Sequence, residues 1–232
     1  MDGFPEHTRW LVAAPVYAAG YLAAILAFGW IAKRRGLATD GIWLLLQAGL
    51  IGGLVGANLV QFLVVGVPGK TIEGGILGGY LAVVLMKRRL GIKRSTGDLF
   101  ALALPAGEAI GRIGCFIGGC CFGKTADVAW AVHDHGALRH PTQLYMAATA
   151  ALTFFALLWL ERRRVLPENG LFYTQGMLFC ISRFAIEFYR EGTTTTLGLT
   201  AAQLGCLAGF AFFAWKFTSF GRPSVRPSLT FE

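Results

Sequence analysis

Charge is scarce in this chain. Only 15% of its 232 residues are charged, and only 13 are acidic, where an ordinary soluble domain has about 25% charged residues. Long polar linkers and internal repeats are lacking too. Cysteine is sparse and odd in number, as Cys115, Cys120, Cys121, Cys180 and Cys206. An odd set lying in or beside apolar blocks argues against an extracellular disulfide scaffold. The opening MDGFPEHTR is polar. The apolar block after it suits a membrane span better than the short core of a cleavable leader.

What is abundant is apolar surface. Hydrophobic residues make up 55% of the chain, and they come in long blocks rather than at the periodicity of a globular core. The expected fold class is an all-α integral membrane protein, a bundle of about seven transmembrane helices. The spans are expected at 10–32, 41–66, 72–86, 98–121, 141–160, 169–190 and 197–217. The third is short and begins with glycines (EGGILGG, Glu73 to Gly79), so it is read as tilted or partly re-entrant. All spans belong to one polytopic membrane domain, 1–232.

The net charge of +8 does not point to nucleic acid. Most basic residues sit in short loops between apolar blocks, as Lys33, Arg34 and Arg35, then Lys87, Arg88, Arg89, Lys93 and Arg94, then Arg162, Arg163 and Arg164, and finally Lys216, Arg222 and Arg226. The other side holds Arg9, Lys70, Lys124, Arg139 and Arg190. The positive-inside rule therefore puts the N-terminus outside and the C-terminus in the cytoplasm. Residues 124–140 form a short non-cytoplasmic segment with three of the four histidines. His133 and His135 read as surface residues.

Arg112 and Arg183 fall inside spans. Each lies 14 residues beyond a polar residue at the cytoplasmic edge, Asp98 and Asn169 respectively. At about 1.5 Å per residue both sit some 21 Å along their helices, in the outer half of a hydrocarbon core about 30 Å thick. Intramembrane arginines are expensive and face a bundle interior or a polar cavity. Glu108 and Arg112 share a helix face at i,i+4, as do Arg183 and Glu187, with Arg190 a turn further on. Two readings are open: ion pairs that fasten helices, or a cavity that holds an anion. Two arginines at matched depth favour the second, and guanidinium forks suit a phospholipid phosphate.

The stretch GRIGCFIGGCCFG (Gly111 to Gly123) surrounds the first arginine. Its glycines suit close helix packing or backbone approach to a ligand. Its cysteines, spaced C-x4-C-C with no second cluster, read chiefly as small packing residues rather than metal ligands, so no metal is expected. A thiol that is transiently acylated or alkylated is a further reading. RHPTQLY (Arg139 to Tyr145) opens the fifth span, with proline suited to a first helical turn. Thr142, Gln143 and Tyr145 bring polar groups just inside the bilayer. His140 reads either as a general base or as a solvated interfacial histidine. Gln203, inside the seventh span, is expected to line the same cavity.

GRIGCFIGGCCFG, RHPTQLY and FCISRFAIEFYREG (Phe179 to Gly192), in this order, resemble the prolipoprotein diacylglyceryl transferase family of bacterial inner membranes. The family reads R-[LI]-G-N-F-[LI]-N-G-E-x-[WY]-G, then RHPSQLYE, then Y-G-x-x-R-[FI]-x-x-E-x-x-R. The resemblance implies transfer of an sn-1,2-diacylglyceryl group from phosphatidylglycerol to the lipobox cysteine of a prolipoprotein, giving a thioether and glycerol phosphate, with no cofactor. It implies catalytic roles for Arg112, Arg183 and Glu187, with His140 read as a substitute base for the family histidine that Leu77 replaces. Substrate contacts would come from Arg112, Gly114, Gly123, Arg139, Gln143, Tyr145, Phe179, Arg190 and Gln203. The implied partners are phosphatidylglycerol, the prolipoprotein signal-peptide region and membrane lipids, in a multi-pass inner-membrane setting. Departures are Cys115, Gly118 and Cys120 for two asparagines and an acidic residue, Phe179 for tyrosine, Met146 for glutamate, and Leu77 for a histidine. The alternatives are a related transferase with another acceptor, or a lipid-binding or transport protein without chemistry.

Overall fold

The computed structural model describes residues 6–66, 69, 71–192, 195 and 198–220. Lys70, Arg222 and Arg226, used above to orient the chain, and residue 197, used to start the seventh span, lie outside the described residues. Every expected apolar block is helical. The helices are α1 (Glu6–Arg34), α2 (Asp40–Val65), α3 (Ile72–Arg89), α4 (Gly97–Ile117), α5 (Thr142–Arg163), α6 (Gly170–Glu187) and α7 (Ala201–Phe220). Among the described residues, four stretches are long and apolar enough to cross a membrane: Thr8–Arg34, Asp40–Leu63, Gly97–Ile117 and Thr142–Arg163. Large apolar side chains cover their outer faces, among them Leu11 (75% exposed) and Leu152 (69% exposed). Water would penalise such surface, whereas lipid tails match it.

The fold is not wholly helical. Val132–Asp134 (β1) and Ala137–Arg139 (β2) pair antiparallel, with His133 opposite Leu138. His135 (φ 50°) and Gly136 (φ 74°) form the turn between them. Positive φ at both central residues is the hairpin turn that matches strand twist. Asp134 is buried and sits 3.5 Å from Arg9 Nη1, which ties the hairpin to α1. Strands of three residues are too short to show a period of two in sequence.

Two compact units divide the chain: Phe28–Ser95, and Met1–Ala27 with Thr96–Glu232. The first is organised by α2 and α3. Gly52 and Gly56 on α2 face Gly74 and Gly78 on α3, two small-xxx-small pairs that let backbones touch. A Cβ on Gly56 would lie 2.8 Å from Gly78 Cα, and the converse distance is the same. The α3 helix is unbroken from Ile72 to Arg89, and its glycines pack against α2. Gly78→Leu is expected to destabilise the pair by about 1–3 kcal/mol or more through overpacking. A lowered thermal midpoint in detergent, read beside a neutral change at exposed Leu81, would show it.

The second unit holds α4 through α7. Asp98, buried in the first turn of α4, accepts hydrogen bonds from the backbone N–H of Asn169 (3.0 Å) and Phe172 (3.1 Å). It thereby caps α6 from another helix, where the dipole favours an anion. The polar residues that set the expected arginine depths are thus bonded to one another.

Candidate active site

α4, α5 and α6 surround one cavity. Arg112 enters it from α4, Arg183 from α6, and Arg190 from the chain just past α6. Thr142 and Gln143, the first two residues of α5, line it as well, so the positive end of that helix dipole faces the same space. Cys121 closes the side nearest the end of α4, with Met146 and Ile186 as apolar lining.

Each arginine is held by a carboxylate. Arg112 donates to Glu108 Oε1 through Nε (3.3 Å) and Nη2 (3.2 Å). Arg183 Nη1 donates to Glu187 Oε2, which also lies 3.7 Å from Arg190 Nη1. Glu187 Oε1 accepts from the Thr200 hydroxyl at 3.1 Å. Both oxygens of Glu187 are therefore engaged, and it fixes the two guanidiniums rather than acting as a free base. Three guanidiniums face two carboxylates, which leaves one surplus positive charge in a desolvated site. A phosphodiester monoanion matches that charge and the forked donor geometry.

Other residues singled out from the sequence lie beside the cavity rather than on its wall. Arg139 is committed to Glu191, to Gly123 O (3.2 Å) and to Asp134 O (3.2 Å), and its guanidinium covers the Phe122 ring. Gly123 donates to His140 O (3.2 Å) and pairs with Arg190; a Cβ there would lie 2.8 Å from both His140 Cβ and Tyr189 O. It is the joint at which three loop segments meet. Gly114 makes room for the Tyr17 ring, 3.0 Å from where its Cβ would stand. His140 Nδ1 lies 3.0 Å from the Tyr145 hydroxyl, which accepts from Trp130 Nε1 (2.7 Å). The His140 ring also meets Tyr189 edge-on. Phe179 is half-buried on α6.

Gln203 is at a helix start instead of in the cavity wall. Its Oε1 accepts from Thr200 N–H (2.9 Å), while its own N–H donates to Thr200 Oγ1 (3.2 Å). This is a reciprocal capping box on α7, and the T-x-x-Q spacing (Thr200 to Gln203) was its visible signal. Sequence reasoning also missed Tyr17, whose hydroxyl donates to Cys115 Sγ at 3.4 Å. It did not foresee that Cys115, Cys120 and Cys121 converge, with their sulfurs within 4.8 Å of one another.

The apolar helices define a helical membrane protein with a cationic cavity among α4, α5 and α6. The sequence pattern of the family described as prolipoprotein diacylglyceryl transferase matches residues 14–218, and the chain belongs to that family. A phosphatidylglycerol–prolipoprotein diacylglyceryl transferase of Geobacter sulfurreducens is 34% identical over 215 residues, 84% of this chain and 80% of the relative. A protein with the same name from Rhizobium meliloti is 32% identical over 88% of this chain and 80% of its own length. One from Nitratidesulfovibrio vulgaris is 28% identical over 91% and 89%.

Proposed function

We propose that this chain transfers an sn-1,2-diacylglyceryl group from phosphatidylglycerol to the lipobox cysteine of a prolipoprotein, forming a thioether and releasing glycerol phosphate. The single surplus positive charge of the three-arginine cavity carries this reading, because the donor lipid presents one negative phosphodiester. Membership of the family, and the names its relatives bear, support the same chemistry.

In this reading Arg112, Arg183 and Arg190 grip the phosphate. When the thiolate attacks the glyceryl carbon, the C–O bond breaks and negative charge builds on the departing phosphate oxygen. Preorganised guanidiniums stabilise that charge without reorganising. Gln143 and Thr142 shape the wall, and the dipole of α5 adds to the field. His140, oriented by Tyr145, takes the thiol proton. Arg139, Gly123, Gly114, Phe179 and Gln203 hold the surrounding elements. The seven helices are spans in the bacterial inner membrane. The N-terminus and the 124–140 segment face outside and the C-terminus faces the cytoplasm, as the distribution of Lys and Arg supports.

The test is direct. The purified chain in phosphatidylglycerol nanodiscs is mixed with a lipobox peptide, and the peptide mass is followed. Gain of one diacylglyceryl group with release of glycerol phosphate is expected. Phosphatidylglycerol retained by the chain with no peptide adduct and no glycerol phosphate would overturn the reading.

A further inference from the structure

Of the three converging thiols, Cys121 lines the same cavity and the sulfurs of Cys115 and Cys120 lie within 4.8 Å of it; the transferase mechanism above does not use them. Cys115 is in the last turn of α4. After the helix ends, Gly119 (φ 71°) and Cys121 (φ 61°) both take left-handed backbone, and Cys120 N–H donates back to Cys115 O at 3.1 Å. The chain doubles on itself, so Cys120 and Cys121 return onto Cys115. A left-handed non-glycine residue is strained and persists only where its surroundings enforce it. Here α5 enforces it, because Gln143 Nε2 donates to Cys120 O (2.7 Å) and the Thr142 hydroxyl donates to Cys121 O (3.0 Å). Both donors are buried.

We propose that Cys115, Cys120 and Cys121 form a three-thiolate site for Zn2+, whose open fourth position takes the sulfur of the acceptor cysteine. Zn–S bonds are about 2.3 Å, so three sulfurs around one ion stand roughly 4 Å apart. The observed sulfurs, all within 4.8 Å, reach that spacing by small side-chain rotations. Thiolates select soft ions such as zinc over magnesium or calcium. The Tyr17 hydroxyl donates to Cys115 Sγ (3.4 Å) and lies 4.0 Å from Cys120 Sγ, the kind of outer partner that orients a ligand and steadies its charge. Cys121 lines the arginine cavity, so the site adjoins the space assigned to the lipid phosphate. Three protein ligands and one open position are the arrangement of catalytic rather than structural zinc.

This proposal rests on the transferase reading and supplies its nucleophile. The acceptor thiol coordinates zinc and loses its proton to His140. A sulfur lone pair then attacks the glyceryl carbon. The C–S bond forms, the C–O bond breaks with its electron pair passing to the phosphate oxygen, and zinc keeps its oxidation state. The thioether product is neutral, binds zinc more weakly than a thiolate, and leaves.

Co2+ serves as the probe. The full chain in phosphatidylglycerol nanodiscs is reduced, stripped with chelator, and titrated with Co2+ and then Zn2+. One equivalent of Co2+ is expected to give sulfur-to-cobalt charge-transfer absorption and tetrahedral ligand-field bands, which Zn2+ bleaches. Cys115→Ser, Cys120→Ser and Cys121→Ser should each weaken Co2+ binding by more than the roughly 10- to 100-fold that losing an outer partner causes. Cys180→Ser and Cys206→Ser, which alter the buried cysteines of α6 and α7, should leave the titration unchanged. A lipobox peptide should shift the ligand-field bands, and its Cys→Ser version should not. Wild-type protein without charge-transfer absorption overturns the site. Bands indifferent to the peptide overturn its role toward the acceptor. Full-rate transfer by the stripped chain also overturns that role and leaves the transferase reading standing. A cobalt site on a chain that transfers nothing sinks the transferase reading alone.

Discussion

Arg183→Ala is expected to lower diacylglyceryl transfer by about 10²- to 10³-fold, the loss typical of removing one preorganised donor to a developing oxyanion. The side chain is 9% exposed and donates to Glu187 on its own helix. Its removal takes away a guanidinium that lines the cavity and leaves the backbone of α6 in place. Arg183→Lys should recover only part of the rate, because an ammonium lacks the planar fork. Arg112→Ala should fall in the same range. The double variant should lose less than the product of the two, since residues that act as a unit are not additive. The measurement is initial transfer rate at saturating peptide, with phosphatidylglycerol retention read separately. A wild-type rate in Arg183→Ala would remove this arginine from the reaction.

Glu187→Ala has the second large effect, and it falls first on stability. The carboxylate bonds Arg183 and Thr200 and lies 3.7 Å from Arg190. Its loss strands a buried guanidinium, which typically costs about 3–5 kcal/mol. A drop in thermal midpoint in detergent is expected, larger than for Thr200→Ala, which removes a single donor. The surviving fraction should bind phosphatidylglycerol yet transfer slowly, because Arg183 and Arg190 lose their fixed positions. A midpoint equal to wild type would show that Glu187 does not hold the two arginines.

Local patterns were legible in the sequence. The seven helices follow from the apolar blocks, and the i,i+4 pairs Glu108/Arg112 and Arg183/Glu187 follow from helix geometry. The shared cavity of Arg112 and Arg183 was foreseen from matched distances along two helices. What was not legible needed contacts between distant segments. Arg139 carries the charge of a phosphate ligand, but Glu191, Gly123 and Asp134 engage it first. The cysteines do not look like a cluster in one dimension. They become one through two left-handed residues whose geometry Thr142 and Gln143 impose from α5.

The Asp98 bonds to Asn169 and Phe172 give α4 and α6 a common zero mark, much as two rulers are aligned at one end before they are read at the other. The reading is taken about 21 Å away, after 14 residues at the rise of an α-helix. A slip of one turn at the mark would displace one guanidinium by about 5.4 Å relative to the other, more than a single phosphate group can bridge. The spacing of the two guanidiniums is thus calibrated by a carboxylate at the far end of both helices.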